Sequence, residues 1–100
     1  MAKNRFVLRY LYHKTKRKFL GEILFQGIVP NQPYEWKGLL PRKLQNTPII
    51  WLTETMMSKG CWLIVNTDYL QRLKLHKLKL KDVKWWIYEG EIPPEALERV

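Results

Sequence analysis

The chain has one cysteine, Cys61, one serine, Ser58, and two histidines, His13 and His76. A single cysteine excludes an internal disulfide framework, and with two imidazoles it argues against a structural zinc site. A Ser/His/Asp triad would have Ser58 as its sole serine nucleophile. The five glycines are isolated, so neither G-x-x-x-x-G-K nor G-x-G-x-x-G is present to cradle a phosphate. No apolar run approaches the roughly 18–20 residues that a membrane helix needs. The first residues carry alternation over Phe6–Tyr12 rather than the apolar block of a signal peptide. The expectation is a cytoplasmic protein with no membrane segment and no metal.

What is present fits one folded domain over residues 1–100. A hydrophobic fraction of 46% with 13% aromatics is enough for a core and too much for a disordered chain. Acid is scarce and unevenly placed, and the net charge is +9. Lys3, Arg5, Arg9, Lys14, Lys16, Arg17 and Lys18 precede the first carboxylate, Glu22. A second basic stretch holds Arg72, Lys74, Lys77, Lys79, Lys81 and Lys84 against Asp82, after which Glu89, Glu91, Glu95 and Glu98 reverse the sign. Such a field attracts polyanions. It is compatible with nucleic acid, a nucleotide cofactor, an acidic protein partner or simply a solvated lysine-rich face.

Taken in order, Phe6, Leu8, Tyr10 and Tyr12 alternate with Val7, Arg9, Leu11 and His13, predicting a strand that delivers His13 to its C-terminal end. Thr15 is a candidate N-cap for a helix over 16–26, whose apolar stripe is Phe19, Leu20, Ile23 and Leu24. Gly27 suits a left-handed helix end, and Pro30 prevents continuation. Residues 30–48 read as a long proline-punctuated loop displaying Tyr34, Trp36, Arg42 and Lys43. Its aromatics and bases suit either stacking on a ring beside a phosphate or plugging the loop onto the core. Ile49–Thr53 and Cys61–Asn66 read as buried strands, with Cys61 a small apolar residue opening the second. Between them, Thr53 could cap one helical turn closed by Gly60. A turn or short helix opens at Asn66 or Thr67. Leu73–Leu75 and Leu78–Leu80 alternate with lysines, as an edge strand that resists aggregation does. Val83–Tyr88 is the last strong strand, and Pro94 suits the first position of a terminal helical turn.

His13 is the residue best placed for chemistry, since Cys61 points toward a core and His76 toward solvent. Four short segments recur in a fixed order: Leu11-Tyr12-His13-Lys14-Thr15, Ile23-Leu24-Phe25-Gln26-Gly27-Ile28-Val29-Pro30, Ile50-Trp51-Leu52-Thr53 and Tyr88-Glu89-Gly90-Glu91-Ile92-Pro93-Pro94-Glu95. In that order the sequence resembles the ADP-ribosyltransferase-like superfamily. The likeness is greatest to the branch of RNA 2′-phosphotransferases and nucleic-acid-modifying ADP-ribosyltransferase toxins.

That resemblance implies an α+β fold, a small split mixed or antiparallel β-sheet with a few short helices, gripping NAD or an ADP-ribosyl phosphate in a cleft. It implies that His13 hydrogen-bonds a ribose, that Thr15 steadies its segment and that Thr53 faces the cleft from the second motif strand. It further implies that Tyr34, Trp36 or Trp51 stacks on the nicotinamide and that Arg42 is among the arginines available to a phosphate. One departure stands out: Val83–Tyr88 lacks the glutamate that transferases of this fold carry on the last motif strand. The resemblance therefore implies an NAD-binding transferase-like protein, of a toxin or other mobile-element system, with altered or absent catalysis. The alternative, from charge, is a non-catalytic module that binds nucleic acid or an acidic protein through Lys74, Lys77, Lys79 and Lys81.

Overall fold

The computed structural model describes residues 8–31, 40, 42–56, 58–80 and 83–100. Six strands form one sheet: β1 (Tyr10–Thr15), β2 (Ile50–Thr53), β3 (Cys61–Asn66), β4 (Leu75–Leu80), β5 (Val83–Tyr88) and β6 (Leu97–Arg99). Their spatial order is β4-β5-β2-β1-β3-β6. Every pairing is antiparallel, so the mixed sheet of the sequence expectation does not occur among the described residues. Regular helix is limited there to α1 (Leu20–Gln26), the remaining helical pieces being 3-10 turns. The fold is α+β.

Residues directly opposite each other in an antiparallel pair share a face, and the alternating sequences give this sheet two apolar sides. On the first, Leu11, Ile50, Leu52, Val65, Trp86, Tyr88 and Leu97 are buried together with Ile28, Ile92 and Ala96. Ile23 and Leu24 of α1 pack onto them. On the second, Leu40, Leu44 and Ile49 bury Leu78 and Ile87, with Trp51 and Trp85 at the margin. A seven-residue helix is marginal in water, so α1 owes its existence to this packing.

The chain between β1 and α1 departs from expectation. Thr15 does not cap a helix: it is the last residue of β1, paired with Cys61. The ladder of six residue pairs between β1 and β3 holds Thr15 extended, which outweighs one capping hydrogen bond. His13 consequently lies within the strand, with two further paired residues after it. Lys16 precedes a 3-10 turn, Arg17–Phe19, with no side-chain cap, and α1 follows. Gly27 does end the helix at φ +91°, its N–H donating to the Ile23 carbonyl. Beyond it Ile28 and Ile92 exchange both backbone hydrogen bonds, each 2.9 Å.

The expected helical turn over 53–60 is absent from its described residues. The Thr53 hydroxyl donates to the Thr55 carbonyl at 2.7 Å, and the Trp62 indole N–H holds the Ser58 carbonyl at 2.7 Å. These bonds favour bends over a helix. The turn at Thr67–Tyr69 is capped as expected, the Asn66 side chain accepting from the Asp68 N–H. Cys61 is free and half-buried rather than buried. Strand β4 occupies the sheet edge. The opposite edge strand, β6, was not expected: Leu-Glu-Arg has no strand signature, and β3 supplies the pairing.

Candidate functional site

The sheet is nearly divided at its middle. Strand β1 meets β3 through six residue pairs and β2 meets β5 through four, whereas β1 meets β2 only at Tyr12↔Thr53. Where that seam opens, a cleft of about 390 Å³ lies beneath α1. His13 and Thr15 line it from β1, Ile50 and Trp51 from β2, and Phe19, Glu22, Ile23 and Gln26 from the helical side. Gly27 continues that wall, and Asn31, tied to Ile49 by two backbone hydrogen bonds of 3.0 and 2.7 Å, closes it. The spacing 19, 22/23, 26 places the helical residues on one face. The volume is at the low end of the roughly 300–1,000 Å³ typical of ligand pockets.

His13 is the best-defined polar group in this cleft. Its Nδ1 lies 2.9 Å from the Trp51 carbonyl oxygen. A carbonyl only accepts, so Nδ1 carries the proton, and in the neutral ring Nε2 remains an acceptor. Burial holds the imidazole below its ordinary pKa of 6.5, the bond to Trp51 opposing that only in part. At neutral pH the group is therefore an uncharged, oriented hydrogen-bond acceptor spanning the seam. Because the native state takes up this proton at lower pH than the unfolded chain, the stability involved is present above 6.5 and lost as pH falls. On lowering pH from neutral to about 5, the urea midpoint of the wild type should fall further than that of His13→Asn. Asn keeps a donor near the Nδ1 position without the titration, and parallel pH profiles would contradict this assignment.

The remaining expected site residues divide clearly. Thr15 joins His13 in the cleft. Thr53 does not: it pairs with Tyr12, the neighbour of His13 in β1, and so lies on the opposite side of the sheet. There it is 2% exposed, its hydroxyl spent on Thr55. Trp51 contributes its carbonyl, but its ring packs edge-on to Trp85, centroids 5.5 Å apart at 87°, within the second apolar group. That ring is occupied. Arg42 is exposed on a turn anchored by buried Leu44 on that same second side, and does not line the cleft. Tyr34, Trp36 and Lys81 lie outside the described residues.

Lys74, Lys77 and Lys79 stand at the other end of the sheet. Lys74 is exposed in the turn before β4, and Lys79 lies on β4 opposite Lys84. The Lys77 ammonium is 3.7 Å from a Glu54 oxygen and 5.8 Å from the Trp86 ring centre. The same carboxylate accepts from the Trp86 indole N–H at 2.8 Å. Lys77 thus helps close a local network rather than standing free. Three strand spacings, about 14 Å, separate β4 from β1, so these lysines and His13 belong to different surfaces. His76, expected to face solvent, is paired with Glu89 and half-buried.

Sequence reasoning missed Phe19, Glu22, Gln26 and Asn31. The first three carry a usable signal, the i, i+3, i+7 spacing immediately after the histidine strand. It was obscured because Phe19 also fits the apolar stripe, yet it is 43% exposed at the cleft. Among the described residues no group of three His, Cys, Asp or Glu side chains could hold a metal, and no helix is long and apolar enough to cross a membrane. No protein-family model matches the chain, and no curated protein sequence is significantly similar to it.

Proposed function

We propose that this chain is an ADP-ribosyltransferase-like protein that binds NAD, or an ADP-ribosyl or phosphorylated nucleotide, in the cleft at the seam between β1 and β2. The observation that carries this reading is His13, a neutral imidazole fixed across a divided sheet by the Trp51 carbonyl. With Nδ1 committed to the backbone, Nε2 accepts from a ribose hydroxyl, which orients the sugar toward the floor of the cleft. Phe19 offers the apolar surface for a planar base in place of the Trp51 ring. Gln26 and Asn31 supply amides, able both to donate and to accept, at the same wall. The +9 charge raises the local concentration of an anionic ligand.

Calorimetric titration of the purified chain with NAD and with ADP-ribose tests this reading. Saturable binding at one site supports it; no heat with either ligand, or with a 2′-phosphorylated oligonucleotide, removes it.

A second reading is favoured by the exposed cations Lys16, Arg17 and Lys18 beside α1 and Lys74 near β4: a non-catalytic module that binds nucleic acid or an acidic protein. On that reading, affinity for single-stranded RNA falls steeply with salt, as counterion release requires, and survives His13→Asn. Charge reversal at Lys16, Arg17 and Lys18 abolishes it. Retained binding after reversal assigns those residues to solvated surface.

A further inference from the structure

We infer that the face of β1 and β3 turned away from the cleft is a stacking platform for single-stranded nucleic acid, with Tyr10 and Tyr12 as its rings and Arg9 and Lys14 as its phosphate-binding cations. This surface lies across the sheet from His13, so it stands or falls separately from the NAD reading.

Strand alternation sets the two sides. Leu11, His13 and Thr15 of β1 face the larger buried group and the cleft. Tyr10, Tyr12 and Lys14 face the other way, opposite Asn66, Ile64 and Trp62 of β3. On that second side Leu40, Leu44 and Ile49 cover β4 and β5, and no described residue of β1, β3 or β6 belongs to the group they form. Tyr10 is 42% exposed, and Tyr12 and Ile64 are half-buried beside it. The platform ends at Trp62, which is buried with its indole N–H on the Ser58 carbonyl.

A cation stands at each end. The Arg9 guanidinium lies 5.8 Å from the Tyr10 ring centre, and the Lys14 ammonium lies 6.0 Å from that of Trp62 and 2.8 Å from the Ser58 hydroxyl. These described partners are rings and a hydroxyl, which hold each cation in place without neutralising it. Beyond Lys14, exposed Lys16, Arg17 and Lys18 continue the positive track. Glu98, opposite Ile64, is the one acid among the described positions of β1, β3 and β6 on this side.

Side chains two residues apart on a strand stand about 6.6 Å apart, roughly twice the 3.4 Å rise of stacked bases. A duplex therefore cannot present neighbouring bases to both rings, whereas an unstacked single strand can lay one base on each. Exposed rings beside cations supply base stacking and phosphate contact together. An acidic peptide would use the cations and leave the rings without a partner.

The test is fluorescence anisotropy with the full chain and end-labelled oligo(U) and oligo(dT) of about ten nucleotides, with a duplex of the same length for comparison. The single strands should bind more tightly than the duplex, with affinity that falls steeply with salt. Tyr10→Leu and Tyr12→Leu should each weaken binding about 10-fold, while Tyr10→Phe and Tyr12→Phe keep wild-type affinity. Arg9→Gln or Lys14→Gln should lower the slope of log affinity against log salt by about one. His13→Asn and an excess of NAD should leave binding unchanged. Unchanged affinity in both Leu variants, equal binding of the duplex, or no binding of either strand at low salt overturns the proposal. Displacement by NAD places the strand in the cleft and also overturns it. So does a polyglutamate peptide that binds as tightly and loses affinity in the same Leu variants, since that assigns the face to an acidic protein. If Tyr12→Leu melts far below wild type, Tyr10→Leu, at the more exposed ring, decides alone.

Discussion

Gly27→Ala is expected to destabilise the protein by about 2–4 kcal/mol, from strain at a left-handed backbone position together with a steric clash. At φ +91° any L side chain is strained, and a Cβ there would stand 2.2 Å from the Ile92 carbonyl oxygen. That carbonyl accepts from the Ile28 N–H, so relief of the clash must open the bridge between the end of α1 and the segment before β6. Both Ile28 and Ile92 belong to the larger buried group, and the damage spreads into the core. For a domain of this size the thermal midpoint should fall by about 10–25 °C. Gly21→Ala is the matched control. Its added Cβ would meet nothing within 4 Å, and alanine raises helix propensity, so this variant should gain about 0.5–1 kcal/mol. Thermal melts of the two variants should move in opposite directions. Equal midpoints would mean that the crossing at Gly27 is not tight.

The second large effect is on ligand affinity. His13→Asn should weaken NAD or ADP-ribose binding about 10-fold, the loss of one oriented hydrogen bond of about 1.4 kcal/mol. Asn can keep the donor to the Trp51 carbonyl, so the seam stays closed while the acceptor on the ligand side is removed. His13→Ala leaves that carbonyl without its side-chain donor and should lower both affinity and stability. The contrast separates the two nitrogens of one ring: fold from Nδ1, ligand from Nε2. If Asn and Ala variants lose stability equally while affinity is unchanged, His13 is a fastening between strands and nothing more.

Much of the fold could be read from residue patterns. Of the alternation over Phe6–His13, Tyr10–His13 lie in β1, Leu8 and Arg9 precede it, and Phe6 and Val7 are outside the described residues; the apolar runs from Ile49 and Cys61 and the stop signal Gly27-Ile28-Val29-Pro30 correspond to β2, β3 and the end of α1. These signals survive because they reflect local backbone preference or simple burial. What could not be read depends on pairing. Thr15 looks like a cap from its neighbours, yet the ladder to Cys61 makes it a strand residue. Leu97–Arg99 becomes a strand because β3 has a free edge. The placement of site residues follows the same division. His13 was legible from its strand, but which side of the sheet Thr53 and the Trp51 ring occupy depends on register across the seam. One residue of register exchanges the two sides. The spacing of Glu22 and Gln26 on one helix face is visible in the sequence, but that this face lines the cleft follows from how α1 packs.

The central claim is that the opening between β1 and β2, with His13 on its wall, is the ligand site. Amide chemical-shift mapping on titration with NAD tests it most directly. The largest shifts are expected on His13, Thr15, Gln26, Gly27 and Ile50, with the β4 amides of Leu75–Leu80 unmoved. Shifts concentrated on β4 and the turn at Arg72–Lys74, with the cleft silent, would contradict it and place recognition on the basic edge of the sheet.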